Sequence, residues 1–345
     1  MNIKSGAVWG MICILAVALA VPLCVNDYWI GVLIFFLMVG YMSSCWNIFG
    51  GLAGQASFGH AAFFGCGAYT TTLLYTEFNV NPILGSMAGV LLAGIVALIL
   101  GIVVFRAKLM AIFLALVTFA FAEIVYWIVN SSSWSGGHAG VDIPFVRGGN
   151  PTNLIFTSSL SYYYMILIMT IGILLFTKWI AGQKLGWYLS AVRENEDWAQ
   201  ALGINAFRYK ITALVISAAT MALAGSFFAL YYRYFSPVDA LGWQKSFLAF
   251  LPALVGGTRY TLGPLTGSLI YVGGSEILRN IFGTSIPGLN LAVFGGVLIT
   301  VTMFAPIGVA GLVEKAVHKV GSLRGTKGPE IEEFRGKADR DYTRI

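Results

Sequence analysis

Residues 83–105, ILGSMAGVLLAGIVALILGIVVF, carry no charge and lie between Pro82 and Arg106. A helix of this length crosses the hydrocarbon of a bilayer, about 30 Å, which takes roughly 20 residues. Working outward, similar runs recur near 7–25, 30–50, 51–75, 109–130, 161–181, 211–235, 244–258, 263–282 and 287–311, each bounded by polar or Gly/Pro-rich residues. Composition agrees, with 58% of the 345 residues hydrophobic, 10% charged and a mean hydropathy of +0.79. The expected fold class is an all-α polytopic membrane protein of about ten spans, eight to ten if the short segments do not cross. One membrane domain, 1–312, holds a polar loop at 182–210 and precedes a polar tail at 313–345. Residues 1–25 carry a lysine, an apolar core and small residues, yet the spans that follow favour an uncleaved first span over a signal peptide.

Two segments are unusual. The third holds Gly50, Gly51, Gly54, Gln55, Ser57, Gly59, His60, Gly65 and Gly67; the eighth is too short to cross and ends in Gly256, Gly257 and Thr258. Both read as broken or re-entrant, and they occupy the third place in each set of five spans. Five is odd, so related halves would lie in opposite orientations, and paired glycine-interrupted segments point to a pathway at the interface of inverted repeats. Glycine-rich helices also arise from close helix packing alone. On this map Lys4, Arg106, Lys108, Lys178, Lys184, Arg193, Arg208, Lys210, Arg259 and the basic tail fall on one side, and Arg147, Arg233, Lys245 and Arg279 on the other. Basic residues accumulate in cytoplasmic loops, so both termini are expected inside. The same topology explains the sequence pI near 9.1 without nucleic acid as a partner. Cys13, Cys24, Cys45 and Cys66 lack metal-site or disulfide spacing.

The loop at 182–210 contains WYLSAVRENEDWAQALG, residues 187–203. It reads as a short amphipathic helix with Val192, Ala199 and Leu202 near one face, charges on the other and Gly203 as its cap. Such a helix either docks in a groove of another protein or simply lies on the membrane surface.

Asp197-Trp198-Ala199-x-x-x-Gly203 resembles the Glu-Ala-Ala-x-x-x-Gly core of the coupling loop in ABC-importer permeases, with Asp and Trp replacing Glu and Ala. The wider string from Arg193 to Lys210 resembles the branched-chain amino-acid permeases of the LivM type. So do GLAGQASFGHAAFFG at 51–65, Leu254-Val255-Gly256-Gly257 through Gly263, Pro264 and Gly267, and Ala305-Pro306-x-Gly308. Thr258-Arg259-Tyr260-Thr261 replaces a more glycine-rich stretch of that family. The resemblance, over roughly 40–312, implies a non-catalytic permease subunit of an importer in a bacterial inner membrane. It implies a second homologous permease, two cytoplasmic ATPase subunits that hold ATP and Mg, and an outer solute-binding protein. Arg193, Glu194, Glu196, Asp197, Ala199, Leu202 and Gly203 would then couple the chain to an ATPase. Gly54, Gln55, Ser57, Gly59, His60, Phe64, Glu123, Gly256, Gly257 and Pro264 would line the path for branched-chain or other aliphatic amino acids. Related importers carry urea, short amides or aromatic amino acids.

The chain has no G-x-x-x-x-G-K-[ST] phosphate loop, so no cofactor and no ATP hydrolysis are expected of it. Nor does it have a cluster of His, Cys or carboxylates at catalytic spacing. Glu123 lies in an apolar span, where a carboxylate is costly. It serves either as a proton or substrate-amine site, which would suit a stand-alone secondary transporter, or as a cap or ion-pair partner inside the bundle. His60 either lines the path or bonds a carbonyl freed by neighbouring glycines. Glu276 and Arg279, spaced i, i+3, are expected to pair locally. Arg233 and Tyr234 suit an outer helix end, and the polar loop Ser133–Gly140 reads as a flexible surface for a binding protein.

Overall fold

A computed structural model describes residues 16–107, 109, 111–144, 153–282, 295–296, 308–309 and 311. Most of the expected last span, residues 7–15 of the first, Arg147, Lys108, Ala305-Pro306 and the tail lie outside these residues.

The helices form where uncharged runs coincide with capping chemistry. After a helical stretch at 16–24, α1 (Asp27–Asn47) runs on into a π-turn at Ile48–Leu52. Residues 53–59 are not helical, and α2 (His60–Phe78) begins only after them. The expected span at 51–75 is thus displaced: its first glycines finish α1 and open a gap. Asn79, at φ 51, closes α2 in the left-handed region that Asn tolerates. Asn81 then accepts from Ile83 N at 2.9 Å and Pro82 occupies the first turn, starting α3 (Pro82–Arg106). Helix α4 (Ala111–Ser131) follows, and α5 (Ser159–Gly182) starts where Ser158 Oγ accepts from Leu160 N.

The loop carries α6 (Lys184–Glu194) and α7 (Glu196–Ala201), and α8 (Ala206–Tyr232) starts under an Asn205 cap, so Arg208 and Lys210 belong to the helix rather than the loop. Beyond it lie α9 (Pro237–Leu241), α10 (Trp243–Gly256) and α11 (Gly263–Phe282).

Among the described residues, five helical segments are long and apolar enough to cross a membrane: Asp27–Leu52, Pro82–Arg106, Ile112–Ser131, Ser159–Gly182 and Ala206–Tyr232. Burial divides them into two sets. The most apolar windows of Asp27–Leu52 and Ala206–Tyr232 are 78% and 72% buried, whereas that of Pro82–Arg106 is 33% buried. Helix α3 shows why. Gly85, Gly89, Ala93, Ala97 and Gly101 form a ribbon of small residues facing inward, and an added Cβ on Gly89 would come 3.0 Å from Gly67 Cα of α2. Its other side exposes Leu84, Met87, Leu91, Ile95, Ile99 and Val103. An apolar face of this extent is stable against lipid and not against water. The interior is therefore α1, α2 and α8, with α3, α4 and α5 outside them.

At the end carrying Tyr232, β1 (Val141–Asp142) pairs antiparallel with β2 (Tyr234–Phe235). The loop before β1 is not the flexible stretch expected from its composition. Two 3-10 turns hold it, Gly136, Gly137 and Gly140 supply positive φ, and buried Ser135 donates to Val129 O. Arg233 at the end of α8 donates to Phe156 O at 2.8 Å, so it anchors a loop as well as a helix end. Glu276 and Arg279 do form a local pair at 3.5 Å, and Tyr28 joins them by donating to Glu276 and accepting from Arg279.

Candidate functional site

The polar loop is two helices, not one. Asn195 leaves helical geometry (φ −160, ψ 116), and its side chain accepts from Trp198 N at 3.0 Å, which caps a new helix. Helical phase restarts there, so positions before and after the break do not share a cylinder. Val192 and Ala199 still bury together with Ala206, but Leu202 is 81% exposed, contrary to the single-face reading. Gly203, at φ +83, ends α7: its N–H bonds Gln200 O at 2.9 Å, and Ile204 N–H bonds Ala199 O at 3.0 Å. Trp187, Trp198 and Leu202 thus stand out as large apolar side chains on a charged surface.

Arg193, the penultimate residue of α6, reaches into the first glycine-rich break. Its Nη1 donates to Gly51 O at 2.9 Å. Its stem lies over Gly54, where an added Cβ would come 2.3 Å from Arg193 Cγ and φ is +68. Glu194 pairs with Arg193 at 3.2 Å and with Arg259 of the second break at 3.5 Å. The two breaks also touch directly, since an added Cβ on Gly51 would sit 2.5 Å from Thr258 O. Among the described residues, buried Asn47 Oδ1 and Arg193 Nε have no hydrogen-bond partner. Unspent donors and acceptors of this kind suit a joint whose partners change. Beside it, Glu196 pairs with Lys210, and the two help line a cavity of about 480 Å³ with Phe105, Arg106, Gln200 and the turn at 203–207. Asp197, the remaining expected coupling residue, is exposed in the first turn of α7 and borders an adjoining cavity with Gln55.

The broken segments run on together toward the middle of the bundle. Phe58 packs on Phe247 and Phe250, with ring centroids 5.8 and 4.9 Å apart, and Trp46 on Phe250 at 5.9 Å. Ala61 N, in the first turn of α2, donates to Ser246 Oγ in the first turn of α10 at 2.9 Å. Two helix N-termini, each with uncovered amide dipoles, therefore start against one another.

His60 is 1% exposed and bonded on both ring nitrogens, Nε2 to Ser217 Oγ at 2.8 Å and Nδ1 to Ser57 Oγ at 3.1 Å. Because Ser217 spends its proton on Cys45 O, it must accept from Nε2–H, and the neutral Nε2–H tautomer satisfies the chain. The expected bond from His60 to a freed carbonyl is replaced by one relayed through Ser217.

In the second break Gly257 adopts φ +107, and an added Cβ on Gly256 would meet Gly263 O at 1.7 Å. An added Cβ on Gly267 would likewise meet Pro252 O at 1.8 Å, and Pro264 is buried in the first turn of α11. Of the expected path residues, Ser57, Gly59, His60, Phe64, Gly256, Gly257 and Pro264 are buried, Gln55 and Glu123 half-buried and Gly54 exposed. Glu123 stands apart on α4 and makes no hydrogen bond or ion pair among the described residues. Sequence spacing missed Ser217 and Ser246, whose only signal is a serine on a small-residue helix face. No group of His, Cys, Asp and Glu able to hold a metal ion occurs among the described residues.

A helical chain with bare apolar walls and two interrupted segments latched to one polar loop has the form of a membrane transport subunit. Residues 28–302 match the family described as branched-chain amino acid transport system / permease component, and the chain belongs to that family. It is 25% identical over 343 residues to the high-affinity branched-chain amino acid transport system permease protein LivM of Escherichia coli (strain K12), covering 91% of this chain and 78% of that one. The protein of the same description from Salmonella typhimurium is 26% identical over 306 residues, 81% of this chain and 69% of the relative. A probable branched-chain amino acid transport permease protein LivM from Methanocaldococcus jannaschii is 29% identical over 219 residues, 59% of this chain and 60% of the relative. No solved structure matches the chain.

Proposed function

We propose that this chain translocates branched-chain or other aliphatic amino acids across a bacterial inner membrane, as one of two homologous permeases in an ATP-driven importer. ATP and Mg act in two cytoplasmic ATPase subunits, and an outer binding protein delivers the substrate. The carrying observation is the joint at Arg193 and Glu194. One loop residue holds Gly51 of the first break, and its neighbour pairs with Arg259 of the second, so a push on α6 and α7 reaches both broken segments at once. The exposed Trp198 and Leu202, with Asp197 and Gly203, form the face that an ATPase grips. The transport path runs between the broken segments, along 51–67 and 254–267, with His60, Phe64 and Glu123 beside it. Ten spans with both termini inside, related as inverted halves over 1–312, place the basic side chains around this joint on the cytoplasmic side and leave 313–345 as a polar tail.

The test is uptake of labelled leucine into proteoliposomes holding the chain with its partner permease, ATPases and binding protein, with ATP on one side or the other and with Asp197 and Gly203 altered. Uptake that needs ATP on the loop side and is lost on those changes is the expected result. ATP-driven uptake of urea, an amide or an aromatic amino acid in place of leucine would move the substrate. Uptake by this chain alone under a proton gradient, abolished by Glu123→Gln, would overturn the coupling.

A further inference from the structure

Lys245 differs from every other described basic side chain. Arg193, Lys210, Arg259 and Arg279 have carboxylate partners, Arg233 bonds a carbonyl, and Arg106, Lys178, Lys184 and Arg208 are exposed. Lys245 is half-buried, and among the described residues its ammonium has no hydrogen bond or ion pair within contact distance. Instead Nζ sits 4.2 Å from the ring centroid of Phe228 and 5.5 Å from that of Phe64. Both rings are interior, 5% and 0% exposed. A lysine that snorkels turns its head toward water; this one turns it inward. Cation–π attraction returns less than an ammonium loses on leaving water. The Lys245 ammonium therefore sits in the bundle with no carboxylate in contact, and only exposed Asp239 acts on it from a distance.

Its position adds to this. Lys245 lies in the first turn of α10 beside Ser246, which bonds the first turn of α2, so the amide dipoles of two helix N-termini reinforce the same positive field. Toward the β1–β2 end, Tyr69 is 4% exposed with a hydroxyl that has no partner among the described residues. Exposed Asp239 lies within electrostatic range of both Tyr69 and Lys245. Its Oδ2 accepts from Ser236 N and Oγ, which leaves Oδ1 available.

We propose that Lys245 binds the carboxylate of a zwitterionic amino acid in the transport path, with Asp239 and the Tyr69 hydroxyl meeting its ammonium end. The proposal rests on the functional reading above for the substrate class and not for the anion site itself. A carboxylate over Nζ makes the charge-assisted bond that the cation lacks and lies against the aromatic wall that takes an aliphatic side chain.

The test uses the full reconstituted complex without ATP and three probes: leucine, isovalerate (no amine) and leucinol (no carboxylate). Lys245→Met should weaken isovalerate and leucine binding at least about tenfold and leave leucinol unchanged, Lys245→Arg should restore most of it, and Asp239→Asn should weaken leucine but not isovalerate. Equal isovalerate binding by wild type and Lys245→Met, or none by either, overturns the site whatever leucine uptake shows. If Lys245→Met lowers folded yield, the judgement passes to Lys245→Gln, which removes the charge but keeps a polar head, under the same criteria. Absence of ATP-driven uptake in a wild-type complex that still discriminates isovalerate from leucinol sinks the importer reading and leaves the site standing.

Discussion

Arg193→Ala should uncouple transport from ATP hydrolysis without stopping hydrolysis. The substitution removes the 2.9 Å bond from Nη1 to Gly51 O and strips the stem that covers Gly54. A hydrogen bond from a charged donor contributes about 1.5–3 kcal/mol. The Arg193 side chain keeps 24% of its surface exposed, so the lower part of that range, about 1.5–2 kcal/mol, applies. At about 1.4 kcal/mol per decade this is roughly a 10- to 30-fold weakening of the hold between loop and break. The assay is leucine taken up per ATP hydrolysed in proteoliposomes, and the ratio should fall by about that factor while the hydrolysis rate stays within about twofold. Arg193→Lys keeps a donor without the rigid fork and should fall between. A ratio unchanged in Arg193→Ala, in a complex of normal thermal stability, would refute the mechanical reading of the joint.

Glu194→Gln should change the same ratio less than about fivefold, because both its ion pairs are exposed and such pairs contribute about 0–1 kcal/mol. Ser217→Ala leaves His60 Nε2–H buried without a partner, while Cys45 O keeps its bond from Ile48 N–H, and should cost about 1–3 kcal/mol, read as a lower Tm of the purified complex. Gly267→Ala drives a methyl into Pro252 O and should lose about 1–3 kcal/mol or more, visible as a reduced monodisperse fraction on size exclusion. Gly203 has open space but φ +83, so Gly203→Asn should retain coupling that Gly203→Val loses, as the uptake ratio would report.

Five of the expected spans were legible because uncharged length is a local property: the Asn81-Pro82 cap set one edge within a residue, while the Asn205 cap started Ala206–Tyr232 five residues before the expected 211. Both breaks were legible for the same reason, since Gly54 and Gly257 are needed at positive φ. The restart at Asn195 was missed because a charged run reads as helix until a capping side chain turns back on its own backbone. What joins distant segments left no local mark. Arg193 on Gly51, Ser246 on Ala61 and Ser217 on His60 link positions far apart in the chain, and no periodicity encodes such a meeting. Lys245 looked like one more basic residue on the outer side until two phenylalanines appeared beneath it. The loop before β1 misled by composition: glycines there serve fixed turns, not freedom.

The hairpin of α10 and α11 is sealed main chain to main chain, Gly256 on Gly263 and Gly267 on Pro252. Interdigitated side chains can slip by hopping between rotamers, but two bare backbones at this separation have nothing to hop. The pair must move as a single stiff body, so whatever displaces the turn at 257–262 carries the far end of both helices with it.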